Sequence, residues 1–319
     1  MTVPRVYNAP MRTLLIAAAS IAMTACTPSE PPAAPAAEAA APAEAAAPKL
    51  MSWDDLTERT RPVPDETISY GSDPLQVADL WRPEGDGPFP TVLMIHGGCW
   101  QTDIADRTLM AWIADDLRQH GIAVWNVDYR GVDREGGGYP GTYLDVANAA
   151  KALRDNAARL KLDIDPLVAI GHSAGGHLAL WLAGQDKLPE GSPLRVADPV
   201  IPDTIISQGG LPDLKLAATP PGSGCGTEVI DRISGGGKYA ETSVPELGPL
   251  GARQVLVNGL NDRIIPTDYA TQYEAAMRAK GDDVRVRFVP DSGHVELVSP
   301  ETAAWAAAVD EIEKALGRK

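Results

Sequence analysis

One serine stands in a pattern that can make it a nucleophile. Residues 171–175 read Gly-His-Ser-Ala-Gly, which places Ser173 between two glycines. A short apolar run at 167–171 precedes it, and an apolar segment with helical spacing follows at 174–184. A sharp turn from strand to helix leaves no room for side chains beside the serine and lifts its hydroxyl clear of the backbone. The pattern therefore predicts that Ser173 attacks an electrophile.

A serine hydroxyl needs a base to become nucleophilic, and histidine is the usual one. His294 lies in the loop segment PDSGHVELV after the last predicted strand, and we expect it to be the base. We expect His120 to be solvated at a helix end and His177 to pack in the helix after the serine. His172 is adjacent to Ser173, but successive side chains in the turn diverge.

A carboxylate must fix the tautomer of that base and stabilise the imidazolium. Asp262 follows a predicted strand in the segment GLNDRIIP and lies between the serine and the histidine in chain order. Three other acidic residues, Asp291, Asp268 and Glu296, are close in sequence to His294 or Asp262 and compete for the role. Asp291 is the strongest of these alternatives, and Asp262 is the prediction.

Backbone N–H groups must also face the oxygen that becomes negative during acyl transfer. The N–H of Ala174, directly after the serine, is one candidate. The second should come from the loop His96-Gly97-Gly98-Cys99-Trp100, which follows another predicted strand. We expect Gly98 or Cys99 to donate it.

The elements that position these residues alternate along the chain. Predicted strands at 75–81, 91–97, 122–130, 167–171, 203–210, 253–259 and 284–290 are separated by predicted helices at 109–121, 143–160, 174–184, 267–281 and 300–317. Alternation of this kind implies crossover connections and a doubly wound, mostly parallel sheet with helices on both faces, an α/β fold. Ligands bind beyond the carboxyl ends of such strands, where the candidate residues lie.

Composition limits the partners. The chain has 319 residues and a formal net charge of −15, which repels phosphate backbones, so nucleic-acid binding is not expected. No apolar run is long enough for a retained membrane span. The histidines lack metal-ligand spacing, and we expect no metal and no cofactor.

The N-terminus predicts export. Residues 1–26 carry basic residues, an apolar core at 14–23 and the sequence Met-Thr-Ala-Cys, which resembles the lipobox of bacterial lipoproteins and makes Cys26 the lipidated residue. Residues 27–50, rich in Ala, Pro and Glu, are expected to form a disordered tether. Residues 51–319 form the folded domain. The chain is expected in the cell envelope, anchored only by its lipid to the outer membrane and facing the periplasm, or else secreted.

The segments HGGCW, VDYR, GYPGTYLDV, GHSAGGHLAL, NGLNDRIIP and SGHVELV run in this order over about residues 75–317. Together they resemble the α/β-hydrolase superfamily, in the esterase branch that includes kynurenine formamidases, feruloyl and acetylxylan esterases and hormone-sensitive-lipase relatives. The resemblance implies a serine hydrolase that cleaves small carboxylic esters through Ser173, His294 and Asp262. Amide hydrolysis, as in an arylformamidase or a dipeptidyl peptidase, is the alternative, and an inactive binding protein is a further one.

Cys99 departs from the family pattern, which has an aromatic residue or glycine there. Cys225 lies in a Gly/Pro-rich insertion at about 211–250, and insertions at this point commonly cap the active site. The two cysteines either form a disulfide that attaches the insertion to the proposed oxyanion loop at 96–100, or remain separate thiols. We expect the insertion around Cys225 to select the acyl group.

Overall fold

The computed structural model describes residues 48–220 and 222–319. The predicted signal segment, Cys26 and nearly all of the predicted tether lie outside the described residues. Within the described residues, no helix is long and apolar enough to cross a membrane.

The centre of the fold is one sheet of eight strands, in the order β1-β2-β4-β3-β5-β6-β7-β8. The strands are β1 (Glu66–Ser69), β2 (Val77–Trp81), β3 (Phe89–Ile95), β4 (Ala123–Val127), β5 (Leu162–His172), β6 (Thr204–Gln208), β7 (Arg253–Gly259) and β8 (Val284–Val289). β1 and β2 are antiparallel to their neighbours, and all other pairs are parallel. The predicted mostly parallel sheet is confirmed.

Helices connect the strands. They are α1 (Trp53–Thr57), α2 (Ala111–Gln119), α3 (Gly141–Leu160), α4 (Ala174–Ala183), α5 (Leu214–Ala217), α6 (Thr227–Ser234), α7 (Tyr239–Thr242), α8 (Val244–Leu247), α9 (Asp268–Ala279) and α10 (Ala303–Ala315). Four of them, α5 to α8, belong to the insertion, which lies between β6 and β7. All five predicted helices are present, whereas β1, α1 and the four insertion helices were not predicted.

The sheet is buried on both faces, as its apolar strands predict. Along β3, Val92 and Met94 belong to one hydrophobic cluster, and Leu93 and Ile95 belong to the other. This alternation follows the two-residue period of a strand, so each face of the sheet has its own core. The chain passes from β3 to β4 on one side and then returns to β5 on the other. The switch point of the doubly wound sheet therefore lies between β3 and β5.

The buried carboxylate of Asp145 joins three parts of the fold. Asp145 lies in α3 and accepts three hydrogen bonds from Arg130: from its backbone N–H at 3.0 Å, from its side-chain Nε at 2.8 Å and from its side-chain Nη2 at 2.7 Å. It also accepts one from Gln76 Nε2 at 2.7 Å. The loop after β4 and the turn before β2 are thus both attached to α3.

We expect Asp145→Asn to lower the free energy of unfolding by about 3 kcal/mol, because the new amide turns one N–H group toward the guanidinium of Arg130. Asp155→Asn is the matched control on the same helix. Its ion pair with Lys151 is half exposed on both sides, so its loss should cost about 0.5 kcal/mol or less. Urea unfolding followed by circular dichroism measures both, and equal losses would contradict the structural role of Asp145.

Candidate active site

The turn at Ser173 is strained, and glycine makes it possible. Ser173 has φ +52° and ψ −119° between the end of β5 and the start of α4, a conformation that L-residues rarely adopt. A Cβ at Gly171 would lie 2.1 Å from the carbonyl oxygen of Gly175, and one at Gly175 would lie 2.1 Å from that of Ile95. Only glycine fits at either position. The Ser173 N–H donates to Gln208 O at 2.8 Å, which fixes the turn to β6.

His294 is held by Asp262. Its Nδ1 donates to Asp262 Oδ2 at 2.6 Å, since a carboxylate only accepts. The other carboxylate oxygen of Asp262 accepts from the N–H groups of Ile264 at 2.8 Å and Ile265 at 2.9 Å. These bonds orient the carboxylate, and the imidazole keeps the lone pair of Nε2 free for a proton.

Ser173 and His294 line the same cavity, and both are almost fully buried. Among the described residues, no hydrogen bond joins the Ser173 hydroxyl to the imidazole. In ligand-free sites such bonds are often long and tighten only when substrate binds. The cavity therefore brings together the three predicted residues, with Asp262 behind His294.

The rival carboxylates have other positions. Glu296 accepts hydrogen bonds from Met51 N–H at 2.5 Å and from Gly293 N–H at 2.9 Å. Asp268 is the first residue of α9, and Asp291 has φ +52° in the loop after β8. Asp262 is the acidic residue to which His294 is hydrogen-bonded.

The other histidines are bound elsewhere. His120 is exposed beside Asp116, and His96 lies against Asp128 at 3.1 Å. His172 Nε2 donates to the carbonyl oxygen of His294 at 3.1 Å, and the two rings lie 4.4 Å apart. Burial, and then the charge of His294, hold the pKa of His172 well below its usual value. His172 therefore remains neutral and supports the backbone of His294.

The loop after β3 brings its backbone into the cavity. Gly98, Cys99 and Trp100 all have positive φ, at +98°, +51° and +54°. Gly98 and Cys99 line the cavity together with Ser173. Within residues 48–220 and 222–319, the N–H groups of Cys99 and Ala174 donate no hydrogen bond to the protein. These two N–H groups, one in this loop and one directly after Ser173, are available to donate to a developing oxyanion.

Cys99 and Cys225 form a disulfide, with their Cα atoms 5.3 Å apart. Of the two alternatives that the sequence left open, the structure has the bonded one. The bridge ties the insertion to the loop that carries Gly98. Two ring N–H groups of α4 also hold the insertion: His177 donates to Thr242 O at 2.7 Å and Trp181 to Glu241 O at 2.9 Å.

The cavity encloses about 230 Å³, and its remaining walls are apolar except for one threonine. They are Trp53, Thr57, Ile104, Ala105, Leu109 and Ile264. Apart from Pro221, which is not described, no residue of the insertion lines the cavity, so the expected selection of the acyl group by the insertion is not seen. Trp53 and Thr57 of α1 form that part of the cavity wall instead. Sequence analysis missed α1, although Ser52 and Asp55 form the capping box that marks a helix start.

Comparison with known structures covers most of the chain. Esterase B from Lactobacillus rhamnosis aligns with a TM-score of 0.67 at 20% identity, over 81% of this chain and 88% of its own. A truncated carbohydrate esterase from gut microbiota aligns with a TM-score of 0.66 at 20% identity, over 80% of this chain and 99% of its own. The chain has the α/β-hydrolase fold.

Sequence comparison adds shorter matches. The BD-FAE family, an esterase family of the superfamily, matches residues 78–194. Esterase LipC of Mycobacterium tuberculosis is 29% identical over 54% of this chain and 46% of its own length. The versiconal hemiacetal acetate esterase of Dothistroma septosporum is 34% identical over 34% of this chain and 32% of its own. The chain thus spans less than half the length of these curated relatives.

We expect Cys225→Ser to lower the free energy of unfolding by about 3 kcal/mol, because the bond closes a span of 126 residues. Cys225 is the residue to change, since Cys99 lines the cavity. Urea unfolding of the variant, and of the wild type with and without dithiothreitol, measures the loss. Two reactive thiols at these positions in the denatured, unreduced protein would contradict the bond.

His177 predicts a loss of stability in acid. Burial lowers its pKa from 6.5 to about 4 against the opposing effect of its bond to Thr242. Between these values the unfolded chain binds a proton that the folded chain does not. The free energy of unfolding therefore falls as the pH is lowered from about 6.5 to 4, by about 3 kcal/mol from this residue.

His177→Gln keeps an N–H donor for Thr242 but does not titrate, so its stability should change less over this pH range. His120→Gln, at an exposed histidine, is the control and should follow the wild type. Urea unfolding at pH 7, 5.5 and 4.5 gives the comparison. Parallel pH curves for the wild type and His177→Gln would rule out this assignment.

Proposed function

We propose that this protein is a serine hydrolase that cleaves carboxylic esters through an acyl-enzyme. The observation that carries the proposal is the cavity in which Ser173, at its strained turn, stands with a His294 that Asp262 holds in one tautomer. The esterase names of the relatives and of the BD-FAE family support the same reaction. No step requires a metal or a cofactor.

The reaction follows from the positions of these groups. Ser173 Oγ attacks the acyl carbonyl carbon while His294 Nε2 takes the hydroxyl proton. The carbonyl oxygen becomes negatively charged and accepts hydrogen bonds from the N–H of Ala174 and from that of Cys99 or Gly98. His294 then gives its proton to the leaving alcohol. Water then attacks the acyl carbon of the acyl-enzyme while His294 takes its proton. His294 returns that proton to Ser173 Oγ as the acid leaves, and this restores the serine.

Ser173→Ala tests the nucleophile. Hydrolysis of p-nitrophenyl acetate and butyrate should fall by at least about 1,000-fold, because only binding and the oxyanion donors remain. Ser69→Ala, on the exposed edge strand β1, is the matched control and should keep wild-type rates. Activity of Ser173→Ala equal to that of the control would overturn the mechanism.

A covalent label separates the proposed enzyme from an inactive binding protein. Thermogutta terrifontis esterase 2, which has the same fold, is phosphonylated by sarin. Diisopropyl fluorophosphate should likewise add one diisopropyl phosphoryl group to the peptide that contains Ser173, and none to Ser173→Ala. N-formylkynurenine and a dipeptidyl p-nitroanilide serve as amide substrates, and a kcat/KM for either above that for the esters would favour the amide alternative.

We also propose that the chain is exported and anchored through lipid on Cys26. The proposal rests on the sequence of residues 1–26 alone. Globomycin treatment of the expressing bacterium should cause the unprocessed form to accumulate, and Cys26→Ser should leave the signal segment uncleaved and the protein without lipid. Cleavage of Cys26→Ser at the same rate as the wild type would favour plain secretion.

A further inference from the structure

A segment outside the region matched by the BD-FAE family forms one wall of the cavity. Residues 50–61, called here the strap, include α1 and contribute Trp53 and Thr57 to the cavity lining. One end is attached to the loop of His294, where Met51 N–H donates to the buried Glu296. Further along, Arg59 pairs with Glu301, and Trp112 Nε1 donates to Thr60 O at 3.2 Å. The strap is therefore fixed at both ends.

The strap places Trp53 against the catalytic histidine. The indole lies edge-on to the rings of His294 and His172, with centroids 6.2 Å and 6.1 Å away. Thr57, one helical turn later, lines the same cavity. The capping box of Ser52 and Asp55 fixes the start of this short helix and so the direction of the indole.

Three further lining residues are apolar. They are Ile104, Ala105 and Leu109, and the side chain of Ile104 is 60% exposed. None of the described lining residues carries a charged side chain except His294 when it is protonated. The volume of about 230 Å³ is below the range of about 300–1,000 Å³ that drug-sized ligands occupy. The space suits a compact, uncharged, apolar group.

We propose that Trp53 is a specificity-determining residue and that the strap limits the substrates to esters whose group in this cavity is short, uncharged and apolar. The inference rests on the proposed ester hydrolysis. Enlarging the cavity at Trp53 admits longer groups and so changes the preference among esters.

The test compares chain-length profiles. The wild type, Trp53→Ala and Trp53→Phe are assayed with p-nitrophenyl esters from acetyl to decanoyl, and with acetate esters of alcohols from ethanol to decanol. In one of the two series, Trp53→Ala should raise the ratio of kcat/KM for the eight-carbon over the two-carbon member by about 10-fold or more. Trp53→Phe should retain a profile close to that of the wild type. Asp54→Ala, at an exposed neighbour in α1, is the matched control and should not move the profile.

A ratio taken within one preparation does not depend on the fraction of folded enzyme, and labelling with diisopropyl fluorophosphate counts the active sites. If the wild type hydrolyses esters and Trp53→Ala has the same chain-length profile in both series, the role of Trp53 is overturned and the proposed function is left intact. A wild type that hydrolyses no ester and takes no label would instead refute the proposed function. A wild type that prefers decanoyl esters, or esters of charged acids, would refute the compact apolar pocket.

Discussion

The candidate active site depends on three backbone segments that touch one another without side chains between them. The end of β3, the end of β5 and the start of α4 meet where Gly175 faces the carbonyl oxygen of Ile95. A Cβ atom added at Gly97 would lie only 3.0 Å from the Cβ atom of Ser173, so a side chain at position 97 would crowd the serine. This close approach keeps Ser173 in its strained conformation and brings the loop of Gly98 beside it. Packing of the sheet on both faces provides the stability that such strain requires.

Much of this arrangement could be predicted, because the buried strands are continuous apolar runs. β7 has the predicted bounds, 253–259, and α4 the predicted start. β5 begins five residues earlier than the predicted 167, because Asp163 and Asp165 are atypical of strands and hide its first half. β1 is short, largely exposed and polar, so it gave no signal.

Other features depended on folding in three dimensions. Chain order favoured Asp262 over Asp291, but only the 2.6 Å contact with His294 shows which carboxylate faces the imidazole. The cysteines are 126 residues apart, so their proximity required a fold that brings the insertion back to the loop after β3. The position of Trp53 at the cavity could not be predicted from hydrophobic periodicity in the sequence, because α1 has only five residues.

Glu296 has a consequence for where this domain begins. One of its oxygens binds the N–H of Met51 and the other binds that of Gly293, directly before His294. The segment before α1 and the loop of His294 are thus linked through one carboxylate. A boundary drawn at the first strand of the sheet would remove the core residue Leu56, a wall of the pocket and one of the two N–H partners of Glu296. For this chain, the domain therefore begins before its sheet does, because the segment ahead of β1 completes both a core and a pocket.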